Sequence, residues 1–355
     1  MTGAGDLASW LRANAQGLDE GERTPADEWL PLLGASGRLR IGVPEALGGA
    51  GGSLTDAVEA IADVARESVT AAFVFWGQRA FIEYLVQSPN EGLRERALPG
   101  LLEGSAAGAS GLSNAMKFLS GIEQLGVRAS GAGPWHLDGH VPWATNLRAP
   151  NFSVALAVAR SDGAPAMVVA VPSSRPGLRR SDDLDLVALR GSQTAALKLD
   201  AVPLDEADIL HPDAQHFLPR VRPAFLGLQC ALSIGLADAA IRAASERLGT
   251  ARAVLEEPLE LLQRDLARHR AEMLEGLADG RFTAHAPALF RLRIALADDV
   301  RQALQLELVA SGGRAYHRDQ PLGFARRWRE SAFIPIVTPS LSQLQSELAK
   351  LALAA

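Results

Sequence analysis

The hydrophobic pattern of this 355-residue chain changes period twice, and that double change constrains the fold more than any single motif. Up to about residue 105 the spacing is helical. Val58, Ile61, Val64 and Ala65 recur on one helical face, so a helix starts near Leu54, and the same face logic runs on through Phe73, Phe81, Ile82 and Leu85. Thr24, Pro25 and Asp27 read as an N-cap, a first-turn proline and an acidic first turn, with Gly34 as the stop. From about 106 the pattern is β-like. Residues 152–158 and 167–171 are β-prone runs separated by Asp-Gly, Pro-Ser and Arg-Pro-Gly turns, which predicts a compact antiparallel barrel or sandwich with its last strand at 195–200. Beyond about 215 helical spacing returns over 224–248, 259–277 and 286–311, with Pro258 opening one helix and Gly280 closing it. The expected architecture is α+β and multidomain: an N-terminal helical domain (1–105), a middle antiparallel β domain (106–205) and a C-terminal four-helix bundle (206–355).

Such a length exceeds one ordinary core, and 48% hydrophobic with 21% charged residues is a globular composition. The net charge of -6, with no long Lys/Arg run, disfavours a nucleic-acid partner and leaves small-molecule chemistry or protein contact. Cys230 is the only cysteine, which excludes an intrachain disulfide framework and a cysteine-based zinc site. No metal site is expected, and a reducing cytoplasm fits. The N-terminus lacks the pattern of a signal peptide. Apolar stretches break before the roughly 20 residues of a membrane span, so a cytoplasmic protein without a membrane partner is expected.

Three short motifs occur in a fixed order. Gly42-Val43-Pro44-Glu45 runs into Gly48-Gly49-Ala50-Gly51-Gly52-Ser53; then come Trp143-Ala144-Thr145-Asn146 and Gly312-Gly313-Arg314-Ala315-Tyr316. In order and spacing the chain resembles the acyl-CoA dehydrogenase superfamily from end to end. That resemblance implies FAD, with its ring between the β domain and the bundle, an acyl-CoA or related acyl thioester as substrate, and a homodimer or homotetramer. It places Leu112 and Ser113, in Gly111-Leu112-Ser113-Asn114, at the pyrimidine side of the ring. Trp143 and Thr145 take the ring face and polar edge, because a flat indole covers a flavin while a hydroxyl two residues on projects from the same side of a strand.

Arg252 matches the arginine that grips the FAD pyrophosphate across a subunit interface, and Pro258-Leu259 are retained after it. Leu255 and Glu256 replace Phe and Gly there, and the adjacent carboxylates of Glu256 and Glu257 would repel a diphosphate unless turned outward. FMN or no flavin therefore stays open. Gly312 and Gly313 resemble the bare turn beside a neighbouring subunit's flavin, with Val309 where a Gln usually stands.

One absence is informative. Thioester dehydrogenation requires a carboxylate to take the α-proton, and the family's usual position falls here on Thr338, or on Pro339 by a second alignment; neither is a general base. The alternative helix position, before Arg220 or Arg222, holds Pro219 or Val221. Glu330 reads as a structural partner of Arg326 or Arg327, and His317 as a weak substitute base. The catalytic residue is left unassigned. The expected function is a flavin-dependent oxidoreductase oxidising an acyl thioester at its α,β carbons. A flavin-dependent monooxygenase or oxidase, or a non-catalytic member, is the alternative.

Overall fold

The computed structural model describes residues 4–112, 115, 118, 123–131, 133–248, 250–317 and 323–354. Five helices come first: α1 (Ala4–Glu20), α2 (Arg23–Ala35), α3 (Leu54–Glu67), α4 (Val69–Gln87) and α5 (Glu91–Glu103). Helix α2 corrects the expected N-cap at Thr24. The Glu22 N–H donates to the Gly17 carbonyl at 2.8 Å, so the helix starts at Arg23 with Glu22 as its N-cap. Pro25 is tolerated because first-turn N–H groups have no intrahelical acceptor. Ser53 caps α3 in a capping box with Asp56. The preceding glycine-rich motif is a tight turn closed by a Val43–Gly51 bridge, and a Cβ on Gly49 would sit 1.9 Å from the Val43 carbonyl oxygen.

Helix α4 is apolar on nearly every face and is the central helix of the N-terminal part, packed on α3, on the first strand and on the longest helix that follows. Among the described residues eight strands then form one sheet: β1 (Ala107–Ser110), β2 (Val127–Ser130), β3 (Trp135–Ala144), β4 (Phe152–Arg160), β5 (Met167–Pro172), β6 (Leu178–Arg180), β7 (Ala195–Leu204) and β8 (Ile209–His211). The strand order is β6-β7-β3-β2-β4-β5-β8, with β1 pairing β4 off that path. The sheet is mainly antiparallel, but β1 and β2 both run parallel to β4. β8 corrects the expectation that the strand starting at 195 is the last; three residues are too short to show a period, and only pairing with β5 reveals them.

Helices complete the chain: α6 (Ala214–Ser245), α7 (Glu256–Ala278), the short α8 (Arg281–Ala284), α9 (Ala286–Ser311), α10 (Phe324–Ser331) and α11 (Leu341–Ala354). Helix α6 begins ten residues before the expected 224, running through Pro219 and Pro223. It also corrects the expectation that no apolar stretch reaches the length of a membrane span. Its most apolar 18-residue stretch has a mean hydropathy of 1.7, yet 94% of that stretch is buried inside the protein, where the helix packs on α3, α4, α7 and α9 as a core helix would. Helices, sheet and helices thus follow one another as expected.

Candidate functional site

Asn146 fixes the exit of β3. Its φ of 64° lies in the left-handed region that Asn tolerates, and its amide donates to Gln78 Oε1 (2.8 Å) and to the Gly108 carbonyl (2.9 Å). Gln78 in turn accepts from the Gly108 N–H at 2.7 Å and donates to the Leu101 and Ala106 carbonyls, each at 2.9 Å. One buried amide pair therefore ties β3 to α4 and β1. Just before it, the β3–β7 register slips between Val141 and Ala144, an irregularity that re-aims Trp143. Trp143 is half-buried, and its ring lies nearly parallel to that of Phe333, with centroids 6.3 Å apart and planes at 13°.

These two rings border a cavity of about 360 Å³. Its lining comes from β1, β2, β3 and β4 of the sheet, from α4, and from the segment after α10, including Val337 and Thr338. Thr145 also lines it, buried and sharing a hydrogen bond with the Thr194 hydroxyl (2.9 Å), which continues to Ser192 (2.7 Å). The Ser110 hydroxyl reaches the cavity while bonded to the Tyr84 phenol at 3.0 Å; burial pushes that phenol well above its ordinary range, so it stays protonated. Among the described lining residues the carboxylate and imidazole are Glu123 and His140, both exposed. Among the described residues no carboxylate lines the wall that holds Thr338.

That wall is held from behind. Glu330 is fully buried at the N-terminus of α4, accepting from the Thr70 N–H and hydroxyl (3.1 Å each) and from Arg326 (2.8 Å). Desolvation raises its pKa, the Arg326 guanidinium opposes that rise, and it plays no part in the cavity. Arg327 pairs with Glu307 instead. Deeper, Arg293 is 1% exposed; its Nε donates to Gln229 Oε1 at 3.0 Å and one terminal nitrogen donates to the Ile334 carbonyl. Gln229 returns an amide bond to the Thr338 carbonyl at 2.9 Å. The other terminal nitrogen of Arg293 has no partner among the described residues, and burial pulls the pKa of the guanidinium down. Sequence reasoning missed Phe333, Gln229 and Arg293. They are 40 to 104 positions apart, and no local pattern links them.

The structure brings Trp143 and Thr145 together with Gly111 and Thr338. Leu112 is buried beside Gly111 without lining the cavity, and Ser113 lies outside the described residues. Arg252 sits in a 3₁₀ turn, Thr250–Leu255, that packs on α9, whose C-terminal end carries Gly312 and Gly313. Neither glycine lines the cavity, and the Arg252 side chain lies outside what the structure describes. A Cβ on Gly313 would meet nothing within 4 Å, so that glycine is not required by packing inside one chain. His317 is exposed and apart from the cavity. The cavity suits a flat aromatic ring: it offers an indole face, a buried hydroxyl edge and an enclosed apolar volume. Among the described residues no cluster of His, Cys, Asp or Glu is placed to hold a metal ion.

Comparison with known proteins agrees with that geometry. Residues 7–105 match the model of the acyl-CoA dehydrogenase N-terminal domain. Mitochondrial isovaleryl-CoA dehydrogenase of Pongo abelii is 29% identical over 218 residues, 58% of this chain and 50% of that protein, so the match spans about half the length of the relative. Across 98% of the chain the fold is that of glutaryl-CoA dehydrogenase in complex with glutaryl-CoA (TM-score 0.82, 17% identity, 94% of that chain). It is also that of KijD3 in complex with FMN and a dTDP-linked amino-keto sugar (TM-score 0.78, 21% identity, 91% of that chain). The chain thus carries an acyl-CoA dehydrogenase N-terminal domain over residues 7–105, and from the first helix to the last it has the acyl-CoA dehydrogenase fold.

Proposed function

We propose that the protein is a flavin-dependent oxidoreductase that oxidises an acyl thioester between its α and β carbons. The observation that carries this reading is the cavity shared by Trp143, Thr145 and Thr338, which joins an aromatic face and a hydroxyl edge to the segment where a thioester would lie. A bound flavin, FAD by family likeness, would supply the two-electron acceptor. Trp143 would cover one face of the ring, the Thr145 hydroxyl would meet its polar edge, and the apolar walls would exclude water. Thr338 accepts no proton, and among the described lining residues the groups able to take the α-proton are the exposed His140 imidazole and Glu123 carboxylate. Arg252 and the Gly312-Gly313 turn belong, in this proposal, to a shared site in a homodimer or homotetramer.

The absence of a carboxylate on the Thr338 wall favours a second reading, a flavin-dependent oxygenase, in which no α-proton base is needed. The FMN-bound KijD3 neighbour is consistent with it. The absorption spectrum and mass of the copurifying cofactor, followed by anaerobic addition of acyl-CoA esters, test both. Bleaching of a bound flavin by an acyl-CoA supports thioester oxidation. A flavin that bleaches only with an external reductant, then consumes oxygen with an oxygenated product, supports the second reading. A colourless protein that takes up no added flavin would overturn both.

A further inference from the structure

Among the described residues four arginines are buried: Arg79, Arg293, Arg326 and Arg327. Three of them face a carboxylate. Arg79 pairs with Glu83 at 3.1 Å, Arg326 with Glu330 at 2.8 Å, and Arg327 with Glu307. Arg293, 1% exposed, does not: its guanidinium donates to two neutral oxygens, Gln229 Oε1 and the Ile334 carbonyl, and its remaining terminal nitrogen has no partner among the described residues. A charge buried without an anion beside it is strongly unfavourable, whereas an uncharged side chain of the same length would pack there without that cost.

The place of this charge gives it a use. Gln229 links it to the Thr338 carbonyl (Nε2 to O, 2.9 Å), and the Ile334 carbonyl that it holds belongs to the same segment, whose Phe333, Ile336, Val337 and Thr338 line the cavity. No Arg or Lys stands among the described lining residues. The linking groups are a neutral amide and backbone carbonyls, set in an interior where a charge is felt more strongly than in water. A hydride, two electrons and one proton, delivered to a flavin ring leaves that ring with one negative charge more than before. A flavin in this cavity would acquire that charge in front of a wall backed by a cation that lacks an anion.

We infer that Arg293 is a positioning residue that acts through Gln229 and the Thr338 segment, and that its charge stabilises the reduced, anionic state of the bound flavin and so raises the reduction potential. This rests on flavin binding in the cavity and holds for either reaction proposed above. The test uses the full chain loaded with added FAD or FMN, whichever it retains, and titrated anaerobically with dithionite against a reference dye, which gives the two-electron midpoint potential without any substrate. A unit charge acting over about 10 Å at an effective dielectric of about 20 changes the reduction equilibrium about tenfold, or about 30 mV for a two-electron couple. Arg293→Met keeps the length, removes the charge and should lower the potential by about that amount. Arg293→Lys keeps the charge and should retain the potential. Gln229→Glu leaves the guanidinium in place and supplies the carboxylate that it lacks, so it should lower the potential too, and it reads the same quantity if Arg293→Met does not fold. An unchanged or higher potential in folded Arg293→Met, or in Gln229→Glu, overturns the inference and leaves the flavin reading standing. A folded protein that takes up neither FAD nor FMN overturns the flavin reading, and the inference with it.

Discussion

Replacing Gln229 by Leu tests whether the wall behind Thr338 is held as the structure shows. Gln229 is 1% exposed and spends both ends of its amide, accepting from Arg293 Nε at 3.0 Å and donating to the Thr338 carbonyl at 2.9 Å. Leucine fills the space and makes neither bond. A guanidinium already lacking a partner on one nitrogen would then lack two, and a carbonyl on the cavity wall would lose its side-chain donor. Each orphaned buried group costs about 1–3 kcal/mol, with the charged one at the upper end, so the two together cost about 4 kcal/mol. The apolar side chain returns about 1 kcal/mol through its own burial, leaving a net loss of about 3 kcal/mol. Urea unfolding of the two proteins, compared at a common slope, measures this directly. A loss under about 1 kcal/mol would refute the reasoning, because it would mean that Arg293 and Thr338 find equivalent partners without the amide.

Trp143→Ala should weaken flavin binding by about 1–3 kcal/mol, or about 5- to 150-fold in Kd, measured by flavin fluorescence titration; an unchanged Kd would place the ring elsewhere. Thr338→Glu should raise acyl-CoA-dependent flavin reduction by about a hundredfold, the scale of an added general base, and a decrease would show that the thioester does not lie against this wall. Asp56 is held below its ordinary value of 3.8 chiefly by the Ser53 N–H and then by the Ser53 hydroxyl. A lowered folded pKa gives stability that is present above the unfolded value and lost as pH falls through the folded one. Asp56→Asn should therefore destabilise the protein near neutral pH and make no difference in strong acid, as read by urea unfolding at both pH values. Burial pushes the Cys230 thiol up to about 12, so iodoacetamide should label it only after unfolding, and labelling of the folded protein would contradict its burial.

The sequence by itself determined the order of the architecture and the chemistry of its central strand. Period is a local property, and the 3.6-residue spacing of Val58, Ile61 and Val64 and the apolar runs of β4 and β5 appear within windows short enough to read. Trp143 and Thr145 were legible as a pair two residues apart, but β3 ends at Ala144 after a slip in register, so it is the tertiary structure that brings both to one cavity. The absence of a carboxylate at Thr338 was legible too, since it depends only on which residue stands there. Tertiary structure decided the rest. β8 exists because β5 offers it an edge, and α6 passes through two prolines because burial on several helices outweighs their local cost. The grip of Arg293 and Gln229 on the Thr338 wall and the parallel rings of Trp143 and Phe333 at the cavity join residues far apart in the chain. Such contacts are set by how helices pack against one another, and no periodicity within a single segment encodes them.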